Sequence, residues 1–394
     1  MKISAVFLFP CLLALMAPLP GIAIEIATGK MLGEKFDQRS FYVRDNPRQP
    51  WRRTYTGRQF RPEAAGKLMN LRVAQALFHD EWLTEFPFDP EKNTDRAIEA
   101  FDSYKAHGIL AVNVSMQAGN PGYAKEVPSI QRSIAYKGGP GKGSHISAYR
   151  PDGSIKPEWL GRLKKVQQAL DSRGMILNLM YFYQGQDEVL ENPEAIKRAV
   201  VETTDWLISN NCRNVIIDIA NEHDWRGWDH EGWINNHLGE LIELARSRFQ
   251  VKQVDWRLPI GASTGPGMKV HENVRTTADL AMIHGNDSNA ERKSARIAEL
   301  YRDKSVPGPI FMNEDNSGRE TTPEVLAKEL ASCDAVFQAG GSWGYMPWRQ
   351  TQMFPFRFYV PAKTSKLTPG MSLEESDPVY FKAVLEHIRK LLYR

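Results

Sequence analysis

Cysteine is nearly absent from this chain: three in 394 residues, at Cys11, Cys212 and Cys333. That count excludes a disulfide-stapled scaffold, and a chain of this length buries enough apolar surface to do without one. Cys212 and Cys333 fall far apart in the pattern of predicted elements and are expected to stay unpaired. Excess charge of one sign is also missing. Fifty Lys and Arg against 47 Asp and Glu leave a formal net charge of +3, too little to point to nucleic acid as a partner. No second apolar run approaches membrane-spanning length, and no glycine-rich dinucleotide turn follows a predicted strand. KGGPGKGS at 137–144 fails as a phosphate loop, because Lys142 is followed by Gly143 where Ser or Thr is needed. Neither a repeat nor a linker divides the chain.

What is present begins with Lys2, an apolar stretch from Ala5 to about Leu19, and small residues around Gly21-Ile22-Ala23. This reads as a secretory signal peptide over 1–23, so a secreted or periplasmic protein is expected, with no membrane attachment once the signal is removed. Residues 24–67 form a short basic N-terminal extension. From Phe41 to Lys67 it carries Arg44, Arg48, Arg52, Arg53, Arg58, Arg61 and Lys67 against Asp45 and Glu63, with Tyr42, Trp51 and Tyr55 interleaved. A solvated arm lying on the fold is the plain expectation, and contact with an acidic glycan the sharper one.

Beyond the extension, short apolar runs alternate with longer amphipathic ones. Strands are predicted at Leu71 to Phe78, Ile109 to Met116, Met175 to Tyr183, Asn214 to Ala220, Leu258 to Ser263, Leu280 to His284, Pro309 to Asn313 and Ser342 to Met346. Helical patterns separate them, among them Pro157 to Ser172, Pro193 to Ser209 and Pro323 to Gln338, with Asp377 to Leu392 closing the series. Eight βα units imply a parallel α/β architecture over residues 68–394, a closed (β/α)8 TIM barrel. The long loop from Ala118 to Ser154, rich in Gly and Pro, would then hang over the C-terminal face as a subsite wall, a lid or a structural apron.

Chemistry-bearing residues collect where the predicted strands end: Phe78-His79-Asp80-Glu81, Asn113 with Gln117, Tyr183-Gln184, Asn221-Glu222-His223, His284-Gly285-Asn286-Asp287, Asn313-Glu314-Asp315, and Trp343 with Tyr345. A barrel needs apolar layers for stability, but it has no need of such a rim. Glycoside hydrolysis uses two carboxyl groups flanking the scissile bond, roughly 5 Å apart when configuration is retained. Glu222 fits the proton donor and Glu314 the nucleophile. A negative charge on Glu314 disfavours a second one nearby, which keeps the donor's proton in place. Asn221 is the candidate for binding the hydroxyl beside the anomeric carbon, His284 for orienting Glu314, and Trp343 for a flat face under the sugar ring. Gln117, Tyr183 and Trp225 complete the substrate-binding candidates, with Trp82, Tyr123, Trp228 and Trp348 as further stacking aromatics. Neighbours on a strand point to opposite sides, so only one of Glu314 and Asp315 can face the pocket. A carbohydrate is the expected partner. No cofactor or metal is expected, and no oligomeric state is implied. Two other readings stay open: a metal-dependent hydrolase using His79, Asp80, His223, His230 or His284, and a non-catalytic carbohydrate-binding barrel.

In this order and strand context the residues resemble the clan A glycoside hydrolases, (β/α)8 retaining enzymes with an Asn-Glu closing strand four and a Glu closing strand seven. ANEHDW carries the first motif at Asn221-Glu222, PIFMNED the second at Glu314, and GGSWGYMPW the aromatic end of strand eight at Trp343. DGSIKPEWLGRLKKVQQALDSRGMILNLMYFYQGQ is similar to the cellulase-like members. The likeness runs from about Leu71 to the C-terminus. It implies a secreted glycosidase cleaving β-linked polysaccharide or oligosaccharide by double displacement, with Glu222 as acid/base and Glu314 as nucleophile. Many members also place an Arg on strand two near the nucleophile. ILAVNVSMQ has none, so either Arg72 on strand one supplies that charge or the position differs here.

Overall fold

A computed structural model of the chain describes residues 24–81, 88–118, 146–225, 227–228 and 232–394, with 122–123 as backbone alone. The expected signal segment, nearly all of the Ala118 to Ser154 loop, Trp82, His230 and the side chain of Tyr123 lie outside the described residues.

Eight parallel strands form the centre: β1 (Asn70–Arg72), β2 (Ala111–Ser115), β3 (Ile176–Tyr183), β4 (Val215–Asn221), β5 (Ile260–Gly261 and Ser263–Thr264, interrupted at Ala262), β6 (Ala281–His284), β7 (Ile310–Glu314) and β8 (Gly344–Tyr345). Neighbours pair in sequence order from β1 to β7, and β8 pairs with β1. Parallel bridges Phe311 to Ser342 and Asp315 to Tyr345 join β7 to β8 and complete the circuit. Every residue of β4 is buried, as a strand covered on both faces requires.

Helices α1 (Pro90–Ala106), α2 (Pro157–Ser172), α3 (Pro193–Ser209), α4 (Leu238–Val251), α5 (Glu272–Thr277), α6 (Ala290–Arg302) and α7 (Pro323–Gln338) lie between the strands, and α8 (Leu373–Leu392) follows them. Local chemistry starts them sharply. Helices α1, α2, α3 and α7 each open with Pro-Glu; before three of them, the side chains of Asp89, Asn192 and Thr322 accept bonds from first-turn amides. Proline at the first position loses no hydrogen bond, and the acid faces the positive end of the helix dipole.

The first strand and the basic segment differ most from expectation. β1 stops at Arg72, and Ala74–Leu77 forms a 3-10 turn where strand was expected. The turn replaces ladder partners with side chains of α1: Asn93 Nδ2 donates to Gln75 O at 2.9 Å and Thr94 Oγ1 to Ala76 O at 2.8 Å.

The basic segment is not a solvated arm. It folds into three antiparallel strands, Glu25–Thr28, Phe41–Arg44 and Arg52–Arg53. Ile24, Ile26, Phe41 and Val43 pack on Leu68, Ala111, Ile176, Ile216, Leu280 and Phe311, where the barrel strands begin. This sheet therefore plugs the N-terminal end of the barrel, opposite the end where Glu222 and Glu314 emerge. Its charges are used locally: Glu25 takes Arg44 at 2.5 Å and Arg213 at 2.6 Å, and Arg44 lies over Trp51. Cys212 and Cys333 are buried free thiols.

Candidate active site

Glu222 follows the last residue of β4 in a left-handed turn, φ 47°, which a side-chain-bearing residue adopts only when its surroundings impose it. Its carbonyl accepts from Trp225 N at 2.8 Å and Trp228 Nε1 at 3.2 Å, which hold the turn. Glu314 closes β7. A register shift at Ile283/His284 sets His284, at the end of β6, directly beside it. The tertiary fold thus gathers three side chains from three strand ends over one mouth.

Their oxygens and nitrogens are close. A ligand atom from each of Glu222, His284 and Glu314 lies within 4.8 Å of the other two. His284 Nδ1 is 3.0 Å from Glu222 Oε1 and 3.7 Å from Glu314 Oε2. The expectation that His284 orients Glu314 is therefore corrected: its hydrogen bond goes to Glu222, and Glu314 is the more distant neighbour. Gln184 Nε2 donates to the other Glu222 oxygen at 2.7 Å.

Glu314 is held by different groups. Arg72, fully buried on β1, brings Nη1 to 2.6 Å from Oε2, and Asn286 Nδ2 donates to Oε1 at 2.5 Å. Burial alone would push the Glu314 carboxyl up; Arg72, His284 and Asn286 together outweigh it and hold the group below the usual carboxylate range. Burial also works against a proton on His284, but the two carboxylates prevail and its affinity is raised. One carboxylate is thus committed to the ionised form, while the other shares a hydrogen bond with a proton-retaining imidazole.

The remaining candidates divide. Tyr183, on β3, lines the cleft, and Arg72 lies 5.7 Å from its ring. Trp225 is 45 % exposed and also lines it, as does Trp348, which carries the Arg319 guanidinium 4.2 Å above its ring. Asn221 is fully buried; it accepts from Arg72 Nη2 at 3.1 Å and donates to Gln184 at 3.0 Å, so it braces the site from beneath. Gln117 is also fully buried, spending its amide on Ser147, Gln186 O and Tyr183 N. Trp343 offers no face to a ligand. It has no exposed surface, stacks on Tyr345 at 5.8 Å, and donates Nε1 to Asp315 Oδ2 at 2.7 Å. The cause is strand alternation: Glu314 faces the cleft, and Asp315 points to the barrel's outer shell, where Lys293 and Trp343 meet it. The sequence reading weighed Arg72 only as a substitute and gave no role to Gln184 or Asn286. Their sole signal was position at or just after a strand end.

Among the described residues, Glu222, His284 and Glu314 are the one group of His, Cys, Asp or Glu arranged to hold a metal ion. The Arg72 guanidinium against Glu314 puts a fixed positive charge on the same set, which opposes a dication. His223 lies elsewhere: its Nδ1 meets Asn235 at 2.9 Å, and burial pushes its affinity for a proton down, to about 4. The cleft at the carboxylates is about 1020 Å³, and Glu222, Glu314, Asn286, Trp348 and Lys328 are among its lining residues.

No protein-family model and no curated protein matches the sequence. Solved structures do match the fold. A GH5-4 broad specificity endoglucanase from Clostridium longisporum aligns with a TM-score of 0.50 at 9 % identity, over 82 % of this chain and 97 % of that one. A GH5_18 protein from Bifidobacterium longum subsp. longum, in complex with Manβ1-4GlcNAc, aligns with a TM-score of 0.50 at 11 % identity, over 82 % of this chain and 77 % of that one. The chain has the (β/α)8 fold of these clan A structures, as the strand-end motifs implied.

Proposed function

We propose that this chain is a glycoside hydrolase that cleaves β-linked polysaccharide or oligosaccharide with retention of configuration. The observation that carries the reading is the pair Glu222 and Glu314, with oxygens within 4.8 Å and a shared neighbour in His284. That spacing suits direct attack by one carboxylate, since inversion needs about 6.5–9.5 Å to admit a water. The asymmetry of the surroundings supports the roles.

Glu314, kept ionised by Arg72, His284 and Asn286, attacks the anomeric carbon. Its C–O bond forms as the glycosidic C–O bond breaks, and Glu222, as the acid, gives a proton to the leaving oxygen. Once Glu314 is esterified its charge is gone, and Glu222 takes a proton from the water that opens the ester. Trp225 and Trp348 supply apolar faces along the cleft for sugar rings. The fold shared with family 5 structures is consistent with this chemistry but does not by itself assign it. The N-terminal Lys2 and apolar stretch support action outside the cytoplasm.

The test is a screen of β-linked glycans with the signal-free protein, its Glu314→Gln variant and its Glu222→Gln variant, reading reducing ends and product anomers by NMR. Retained anomers, with turnover lost in both variants, are expected. Undiminished turnover in Glu314→Gln would remove the assignment.

A further inference from the structure

Barrel interiors of this kind are usually filled by branched apolar side chains. Beneath the carboxylates this one is polar. Asn70, Asn113, Asn178, Asp218 and Asn313, from five different strands, are all fully buried. Asn113 Nδ2 lies 2.6 Å from both Asn70 Oδ1 and Asn313 O, and Asn313 Nδ2 donates to Asp218 Oδ2 at 3.0 Å. β2 and β4 are not neighbours of β7, so these bonds cross the barrel. Asp218 Oδ1 also accepts from Ser263 N on β5 at 2.9 Å. One carboxyl group thus ties β4, four residues before Glu222, to the residue that precedes Glu314.

We propose that Asp218 is a positioning residue of this site: it holds the two catalytic strand ends at their working separation, and its charge, acting through Arg72 and His284, sets the acid limit of turnover. The inference rests on the glycosidase reading above. The charges that face Asp218 are His284 from β6 and Arg72 from β1, with Glu222 and Glu314 beyond them. Ionised, Asp218 balances those two cations from below while the catalytic carboxylates balance them from above. Protonated, it leaves both cations to Glu314 and Glu222 alone. That deepens the hold on the charge Glu314 must give up in attack. Burial pushes the Asp218 carboxyl up to about 6, against the opposing pull of the Ser263 bonds, His284 and Arg72. Glu314, held low, ionises well before it.

Asp218→Asn is the discriminating variant, because it keeps the shape and the bond from the Ser263 amide. The expected result is kcat lower by about tenfold at neutral pH, KM within about twofold, and loss of the acid limb near pH 6. A strut without an electrostatic role would change stability and rate and leave that limb where it was, which would overturn the charge role. Side-chain carboxyl NMR supplies a readout independent of turnover: a buried carboxyl titrating near pH 6 in the parent and missing from the variant, with the His284 ring shifts following it in the parent only. Absence of that titration would sink the proposal. Failure of every glycan to turn over would instead sink the reading of the site, and the NMR titration would still decide Asp218.

Discussion

Arg72 Nη1 lies 2.6 Å from Glu314 Oε2, and both side chains are buried, so the nucleophile candidate takes its counter-ion from the first barrel strand. This answers the question left by the missing Arg on strand two: the charge is present, delivered from the neighbouring strand end. Removing it leaves a buried carboxylate uncompensated. Arg72→Met is expected to lower kcat by about a hundredfold or more and to destabilise the fold by about 3–5 kcal/mol. The sign with pH follows from the lowered Glu314 carboxyl. Its stabilisation is present above the ordinary value of 4.5 and is lost as pH falls through the lower folded value. The deficit of Arg72→Met in urea unfolding should therefore be largest above about pH 4.5 and shrink below it. A constant deficit at all pH would contradict the pairing.

The two tryptophans of the strand-eight region should separate cleanly. Trp343→Phe removes the buried bond to Asp315, at a cost of about 1–3 kcal/mol, and should leave KM unchanged. Trp348→Ala strips an aromatic wall from the cleft and is expected to raise KM severalfold with little change in Tm. Steady-state kinetics beside thermal scans of both variants decide the matter, and the reverse pattern would return Trp343 to the cleft.

Glu329, on α7, offers a stability test away from the reaction. It accepts from Ser317 N at 3.1 Å and Tyr380 OH at 3.2 Å, and burial together with nearby Asp315 pushes its carboxyl up to about 8. A raised carboxyl contributes stability that is fully present below the ordinary value of 4.5 and is lost as pH rises from there through about 8. Glu329→Gln cannot ionise. Relative to the parent, its Tm should be lowest below about pH 4.5, gain steadily as pH rises to about 8, and hold that gain above it; parallel curves would rule out the buried neutral acid.

The basic N-terminal sheet is expected to matter for stability alone. Phe41 has no exposed surface and meets Phe311 edge-on at 5.6 Å between ring centres. Phe41→Ala should destabilise by about 3–5 kcal/mol in urea unfolding. Without denaturant, kcat and KM should be unchanged, since the plug and the carboxylates lie at opposite ends of the barrel.

Helix limits were legible to the residue at Pro157–Ser172, Pro193–Ser209 and Pro323–Gln338, three of the four helices that open with Pro-Glu; α1 was expected from Asn93 and begins at Pro90. Strand ends were legible where a β-branched run met a polar cluster, which is how Glu222, His284 and Glu314 came to notice. Trp343 was misread because a strand-end aromatic looks the same in sequence whether it turns to the mouth or to the shell. The plug was misread for a related reason: arginines mask the alternation of Ile26, Phe41 and Val43, and only the open barrel end supplies a surface that needs them.

The sequence by itself determined what nearby residues decide: the order of strands and helices, their caps, and which carboxylates stand at strand ends. These follow from hydrogen bonds and side-chain periodicity within a few positions of chain. Only the tertiary structure decided which charges meet. Arg72 reaches Glu314, His284 binds Glu222, and Asp218 spans to Asn313 because closing eight twisted strands into a ring sets cross-barrel distances that no local pattern encodes, in an interior where burial makes each pairing count.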